Sequence, residues 1–179
     1  MNPRQEQNLR KYSLYLLGRR AYSTSEMKEK IRQKIKNVER AKARFSDKST
    51  STNSGSSSEG AMSPDLLIDN VIQYLLDLKL LDDETYAKTL AESLLRQNKS
   101  SRVIQNKLKQ KGIDKEIIEK VFAKDEGKEK SSLAKLINSK LRHSPDLLTS
   151  KKGKEKLIRF LLYRGFSYFD IKREIDNLS

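Results

Sequence analysis

The sequence predicts an all-α protein: three tandem three-helix units that form an elongated helical repeat. Apolar residues recur at three- and four-residue spacing along most of the chain, which is the period of a helix with one buried face. Gly and Pro number only 7 and 3, so long stretches lack helix breakers. Hydrophobic residues make up 35% of the 179 residues, which suits thin helical units with small cores.

The individual helices are indicated by their apolar stripes and by start and stop signals. The stripes are Leu9, Tyr12 and Leu16; Met27, Ile31, Ile35 and Val38; Ile68, Val71, Leu75 and Leu78; and Tyr86, Leu90 and Leu94. Predicted helix starts are a capping box at Ser23–Glu26, Ser63 before Pro64, and the cap residues Asp82, Ser100, Asp114 and Ser167. Gly112 and Gly165 are expected to end helices in the left-handed conformation.

The segment from Ser46 to Ser63 has a different composition from the rest of the chain. Ten of its residues are Ser or Thr, and its apolar side chains are Ala61 and Met62. Such a segment cannot bury enough apolar surface to offset the entropy of ordering. We expect a disordered insert.

The chain also repeats itself. The positions Leu108, Gly112, Ile113, Asp114, Ile118 and Phe122 match Leu161, Gly165, Phe166, Ser167, Ile171 and Ile175, each pair 53 residues apart. Each set reads as a helix, a Gly stop, a cap and a second helix. The predicted units are therefore residues 1–81, 82–124 and 125–179, with cores that neighbouring units complete.

Residue types exclude most catalytic chemistry. There are no cysteines, and His143 is the single histidine, which excludes Cys-based zinc sites and a Ser-His-Asp arrangement. We expect no enzyme activity and no cofactor. The first residues have no apolar core typical of a signal peptide, and no apolar run reaches membrane-spanning length. A cytoplasmic monomer without membrane contact is expected.

The net charge of +14 indicates an anionic partner, most often a nucleic acid. Much of the basic charge lies on or beside the second helix of each unit, which favours a basic stripe that contacts phosphates. The alternative is that these bases are the solvated faces of amphipathic helices. The predicted DNA-binding residues are Lys99, Arg102, Lys107, Lys109, Lys111, Lys151, Lys152, Lys154 and Lys156.

An acidic stretch from Asp65 to Glu92 interrupts this basic pattern. Phosphates would be repelled there, so the stretch suggests a second partner, a protein. The alternative is local: Asp82 caps a helix, and Asp83 and Glu84 favour its dipole.

Four motifs also resemble the RecX regulatory proteins of bacteria. Phe160 to Tyr168, followed by Asp170-Ile171, resembles their C-terminal signature, and Leu80 to Ala87 resembles their central motif. Leu108–Ile113 and Ser25–Ile31 resemble their second-unit helix end and first-unit helix start. The sequence departs from these proteins in two places. Lys79 stands where they usually have Gly, and residues 94–101 lack the Arg-rich helix end and the Gly-containing turn that they have there.

The resemblance implies binding to the RecA recombinase, chiefly to its filament on single-stranded DNA, and direct contact of some members with DNA. It implies that the chain limits filament growth or activity. The residues expected to contact the recombinase are Arg164, Tyr163, Asp82, Asp83 and Tyr86, with Arg164 as first choice because a guanidinium forms bidentate bonds. Two alternatives remain: a helix-turn-helix transcription factor that binds double-stranded DNA, and a basic RNA-binding protein.

Overall fold

The computed structural model describes residues 3–46, 63–123 and 128–178, and every regular element in them is helical. The all-α prediction is confirmed. Apart from its two end residues, the predicted disordered segment Ser46–Ser63 lies outside the described residues. The helices are α1 (Pro3–Leu17), α2 (Thr24–Ser46), α3 (Pro64–Asp77), α4 (Asp83–Arg96), α5 (Ser101–Gln110), α6 (Lys115–Phe122), α7 (Lys128–His143), α8 (Lys151–Tyr163) and α9 (Tyr168–Asp176), with a short 3₁₀ helix at Pro145–Leu147 before α8.

The helices form groups of three, each around its own apolar core. The chain divides into two compact units, Met1–Asp83 and Glu84–Ser179. The first unit holds one core, to which α1, α2 and α3 contribute. The second unit holds two cores, one from α4–α6 and one from α7–α9. The predicted boundary between 81 and 82 stays a prediction, and the one between 124 and 125 lies outside the described residues.

The predicted stripes supply these cores, with two exceptions, one inside α2 and one at the end of α3. Met27, Ile31 and Ile35 of α2 are buried, as the spacing predicts. Val38, the next member of the stripe, is 39% exposed, and Leu78, just beyond α3, is 48% exposed. An apolar stripe marks a helix face, but it does not show where the neighbouring helices stop covering that face.

Serine side chains cap the starts of four of these helices. The hydroxyl oxygens of Ser63, Ser100 and Ser167 accept backbone N–H groups three residues ahead, as predicted. Ser150 does the same for α8, although the sequence did not single it out. Asp114 occupies the cap position of α6 without a side-chain hydrogen bond to the helix. Each hydroxyl cap contributes about 1 kcal/mol to helix stability.

Four helices end at a residue in the left-handed conformation. Gly112 and Gly165 have φ of 70° and 94°, which confirms both predicted stops. Lys79 and Asn98, at φ of 55° and 54°, occupy the same kind of position after α3 and α4. The side chain of Lys79 makes this conformation cost about 1 kcal/mol, which accounts for the glycine usual in the resembling proteins.

The Arg164–Gly165 turn after α8 packs on the start of α5 within the second unit. The backbone N–H of Ser100 donates to the Arg164 carbonyl at 3.2 Å, and the Ser100 hydroxyl donates to the Gly165 carbonyl at 2.7 Å. A Cβ atom on Gly165 would lie 2.2 Å from Cγ2 of Val103 and 2.6 Å from Oγ of Ser100. We call this contact of Ser100 and Val103 with Arg164 and Gly165 the α5–turn junction. Glycine is required in it for its φ and for its lack of a side chain.

Gly165→Ala therefore tests the junction, with Gly112→Ala as the matched control. Alanine at either position adopts a left-handed φ at a cost of about 1 kcal/mol. At Gly165 it must also displace Val103, which adds about 2 kcal/mol. Urea unfolding should show Gly165→Ala to be clearly the more destabilising variant. Equal losses in the two variants would mean that the close approach to Val103 is absent.

Candidate nucleic-acid interface

The last residue of α8, Tyr163, faces solvent, and the next residue, Arg164, is half-buried. Tyr163 is 83% exposed, and Nζ of Lys99 lies 5.6 Å from its ring centroid, within cation–π range. The Arg164 guanidinium donates to the carbonyl of Gln97 and lies 5.2 Å from the ring of Phe160. Gln97 directly follows α4, where helix carbonyls carry partial negative charge, so Arg164 stabilises the end of α4. Its predicted contact with a partner stays a prediction.

The three other residues predicted to contact the recombinase also differ in their surroundings. Oδ1 of Asp83 accepts the backbone N–H of Thr24, the first residue of α2, at 2.8 Å. Asp83 thereby satisfies a free N–H group at the start of a helix 59 residues away. Tyr86 is half-buried against the core of α4–α6. Asp82 is the exposed member of the three, so it is the one best placed to contact another molecule.

A second charged cluster, formed by Arg20, Tyr22 and Glu26, lies at the start of α2 near Thr24. Arg20 forms a salt bridge with Glu26 at 2.8 Å and lies 3.7 Å above the ring of Tyr22. The pKa of Arg20 is raised above its usual value, mainly because its guanidinium donates hydrogen bonds to Glu26. Because an arginine side chain stays protonated in proteins, Arg20 does not act as an acid or base here. Its contacts with Glu26 and Tyr22 stabilise the start of α2.

The bases of α5 lie on two faces of the helix. At 100° per residue, Arg102 and Lys109 are on one side, roughly 140–180° away from Lys107 and Lys111. Arg102, Lys107 and Lys109 are exposed, whereas Lys99 and Lys111 are half-buried. These residues therefore flank α5 on both sides and do not form one row.

In α8, by contrast, three bases share one exposed face. Lys152, Lys156 and Arg159 are spaced four and three residues apart, opposite the buried Leu157 and Leu161. We call these three residues the α8 basic face. Arg159 belongs to it by position, although it was not among the predicted DNA-binding residues.

The first turn of α8 carries further lysines where they reduce helix stability. Lys151, Lys152 and Lys154 are among its first four residues, and its first turn has no acidic residue. The helix dipole favours anions at this end, and each misplaced cation costs about 0.3–1 kcal/mol. Lysines and free N–H groups at a helix start together attract phosphate. This arrangement favours the DNA-binding interpretation over that of a solvated face.

In the first unit, part of the basic charge is neutralised within the fold. Lys28 of α2 pairs with Asp69 of α3 at 3.0 Å, and Arg32 pairs with Asp65 at 3.5 Å. The start of the acidic stretch therefore contacts α2. Exposed ion pairs of this kind contribute little to stability, but they lower the positive potential of α2.

Two exposed aromatic residues were missed by the sequence analysis. Tyr168 and Phe169, the first residues of α9, are 56% and 73% exposed. Their neighbours Ile171 and Ile175 are fully or almost fully buried and define the inner face of α9. At 100° per residue, Phe169 lies about 160° around α9 from Ile171, so the spacing marks it as exposed. Tyr168 lies three residues before Ile171, on the side of the buried stripe, so the spacing gave no such signal for it.

Within residues 3–46, 63–123 and 128–178, no three His, Asp or Glu side chains are grouped as ligands of a metal ion. In the same residues, no helix is both long enough and apolar enough to cross a membrane.

Comparison with known proteins decides the family. The RecX second three-helix domain matches residues 82–121, and the RecX third three-helix domain matches residues 128–175. The chain is 32% identical over 160 residues to the regulatory protein RecX of Serratia proteamaculans, a match that covers 89% of this chain and 91% of that protein. The chain belongs to the RecX family. The resemblance seen in the sequence is confirmed.

The chain is also similar to a second relative and to a solved structure. The regulatory protein RecX of Finegoldia magna is 37% identical over 117 residues, and this match spans 63% of the chain and 56% of that protein. The crystal structure of RecX from Lactobacillus salivarius has a TM-score of 0.67 at 22% identity, over 98% of this chain and 97% of that one. That likeness shows a shared fold.

Proposed function

We propose that this RecX-family chain is a non-enzymatic regulator that binds RecA filaments on single-stranded DNA and inhibits the recombinase. The observation that carries the proposal is the match to the Serratia regulatory protein over 91% of that protein's length. The chain acts in the cytoplasm as a monomer and needs no cofactor. The boundaries at 82 and 125 mark the joints between its three units.

The charge distribution supports a partner that offers phosphate and protein together. The α8 basic face and the lysines at the start of α8 contact DNA phosphates, and the bases of α5 extend this contact within the second unit. Asp82 and Tyr163 are the most exposed of the residues predicted to contact the recombinase. Asp83 fixes the start of α2, and Arg164 fixes the end of α4.

A helix-turn-helix transcription factor fits these observations less well. Such a protein places one recognition helix in the major groove and usually binds as a symmetric dimer. Here exposed bases lie on α2, α5 and α8, and on two faces of α5, so they are spread over several helices.

Inhibition of RecA is tested by ATP hydrolysis on single-stranded DNA. Added to RecA already assembled on the strand, the protein should lower the hydrolysis rate several-fold at near-equal concentration, because it contacts both filament components. Arg164→Ala should inhibit less if the end of α4 and the turn are displaced, and Arg164→Lys should restore inhibition only in part because lysine lacks the planar guanidinium. No binding to the filament and no change in hydrolysis by the parent protein would contradict the proposed function.

Phosphate contacts are tested by salt dependence. The variant with Gln at Lys152, Lys156 and Arg159 should flatten the dependence of the affinity for single-stranded DNA on salt by about 0.7 per lost contact. Its control carries Gln at Lys88, Lys115 and Lys120, which removes the same charge; Lys88 and Lys115 pair with Glu84 and Glu119. The control should leave the slope almost unchanged. An equal change in both variants would assign the effect to net charge and remove the α8 basic face from the interface.

A further inference from the structure

Three exposed aromatic rings lie around the short turn between α8 and α9. Tyr163 ends α8, and Tyr168 and Phe169 begin α9; their exposures are 83%, 56% and 73%. Phe166, between them, is only 4% exposed and fills the core of α7–α9. The fold thus buries one aromatic of this segment and leaves three in water, although burying a ring is strongly favourable.

Cations lie beside two of these rings. Nζ of Lys99 is 5.6 Å from the ring centroid of Tyr163, and Cζ of Arg173 is 5.7 Å from that of Phe169. Lys172 and Arg173 follow Phe169 by three and four residues, so both flank it on the outer face of α9. An acid is present too: Arg173 pairs with Asp170 at 3.1 Å. The rings therefore lie among bases that keep the local charge positive.

Rings flanked by cations match the chemistry of unpaired nucleotides. Each nucleotide offers a flat base that stacks on an aromatic ring and a phosphate that pairs with a nearby cation. A duplex hides the faces of its bases, so it offers only its phosphates to such a surface. A protein partner for this face would need acidic groups beside its apolar side chains.

We propose that Tyr163, Tyr168 and Phe169 stack on the bases of single-stranded DNA, while Lys99, Lys172 and Arg173 contact its phosphates. The proposal rests on the DNA part of the proposed function and is independent of RecA. It assigns Tyr163 to the strand rather than to the recombinase. It also gives the α5–turn junction a role, because Lys99 precedes Ser100 and Tyr163 precedes Arg164.

The test compares strands with and without bases, in the absence of RecA. Fluorescence anisotropy should show that oligothymidylate binds about tenfold more tightly than an abasic strand with the same number of phosphates. Replacing Tyr163, Tyr168 and Phe169 together with Ala should remove this preference and leave the salt dependence unchanged. Replacing both tyrosines with Phe, and Phe169 with Tyr, should retain it, since stacking requires only the ring.

Tyr15→Ala is the matched control. Tyr15 is also exposed, at 61%, and has a guanidinium, that of Arg19, 5.8 Å from its ring centroid, but it lies in the first unit. Its loss should leave the preference intact. Circular dichroism should show that the Ala variant has the helicity of the parent. If the Ala variant is unfolded, the proposal is tested by the parent's preference for bases and by whether the variant that keeps all three rings retains that preference.

Several outcomes would overturn the proposal. The first is that the parent binds the abasic strand as tightly as oligothymidylate, and the second is that the Ala variant still prefers oligothymidylate to the abasic strand. The third is that the parent binds oligouridylate more tightly than oligothymidylate. The fourth is that the Ala variant loses RecA binding but keeps its preference for bases. The first two exclude stacking on these rings, the third indicates RNA, and the fourth indicates a protein surface. If the protein binds single-stranded DNA with the expected preference for bases but does not change ATP hydrolysis by RecA, the proposed function is contradicted and the stacking proposal is not.

Discussion

The α5–turn junction is the contact on which the arrangement of the second unit depends. Ser100 caps α5 with its side chain and gives its N–H and its hydroxyl proton to the carbonyls of Arg164 and Gly165. Arg164 in turn binds the carbonyl of Gln97. The end of α4, the start of α5 and the end of α8 therefore share one set of hydrogen bonds. Buried polar groups that lose such partners cost about 1–3 kcal/mol each, so the three helix ends are held together.

Much of the helical framework could be predicted because its signals are local. Spacing, the Ser caps, and the glycine stops at 112 and 165 depend on residues within one or two turns of each other. The destinations of polar side chains could not be predicted in this way. Ser100 and Gly165 are 65 residues apart, as the chain runs, and Asp83 and Thr24 are 59 apart. The left-handed Lys79 and Asn98 were missed because neither is the glycine that usually marks such a stop.

Three features reduce the stability of this fold, and two of them lie where the interface is proposed. Lys79 adopts a left-handed φ, lysines crowd the start of α8, and three aromatic rings near the α8–α9 turn remain in water. No contact within the described residues compensates for the lysines, since the first turn of α8 has no acid. Binding of an anionic strand would offset both the charge and the exposed rings. Lys79 has no comparable explanation in the structure.

Hydrogen exchange at the Ser100 amide tests most directly the claim that the junction unites the two groups of the second unit. This amide donates to the Arg164 carbonyl, so it is protected only while the junction is closed. If α4–α6 and α7–α9 open together, its opening free energy should equal those of the amides of the buried Leu108 and Leu161. A Ser100 amide that exchanges far faster than both of these would show that the groups open independently and would contradict the account.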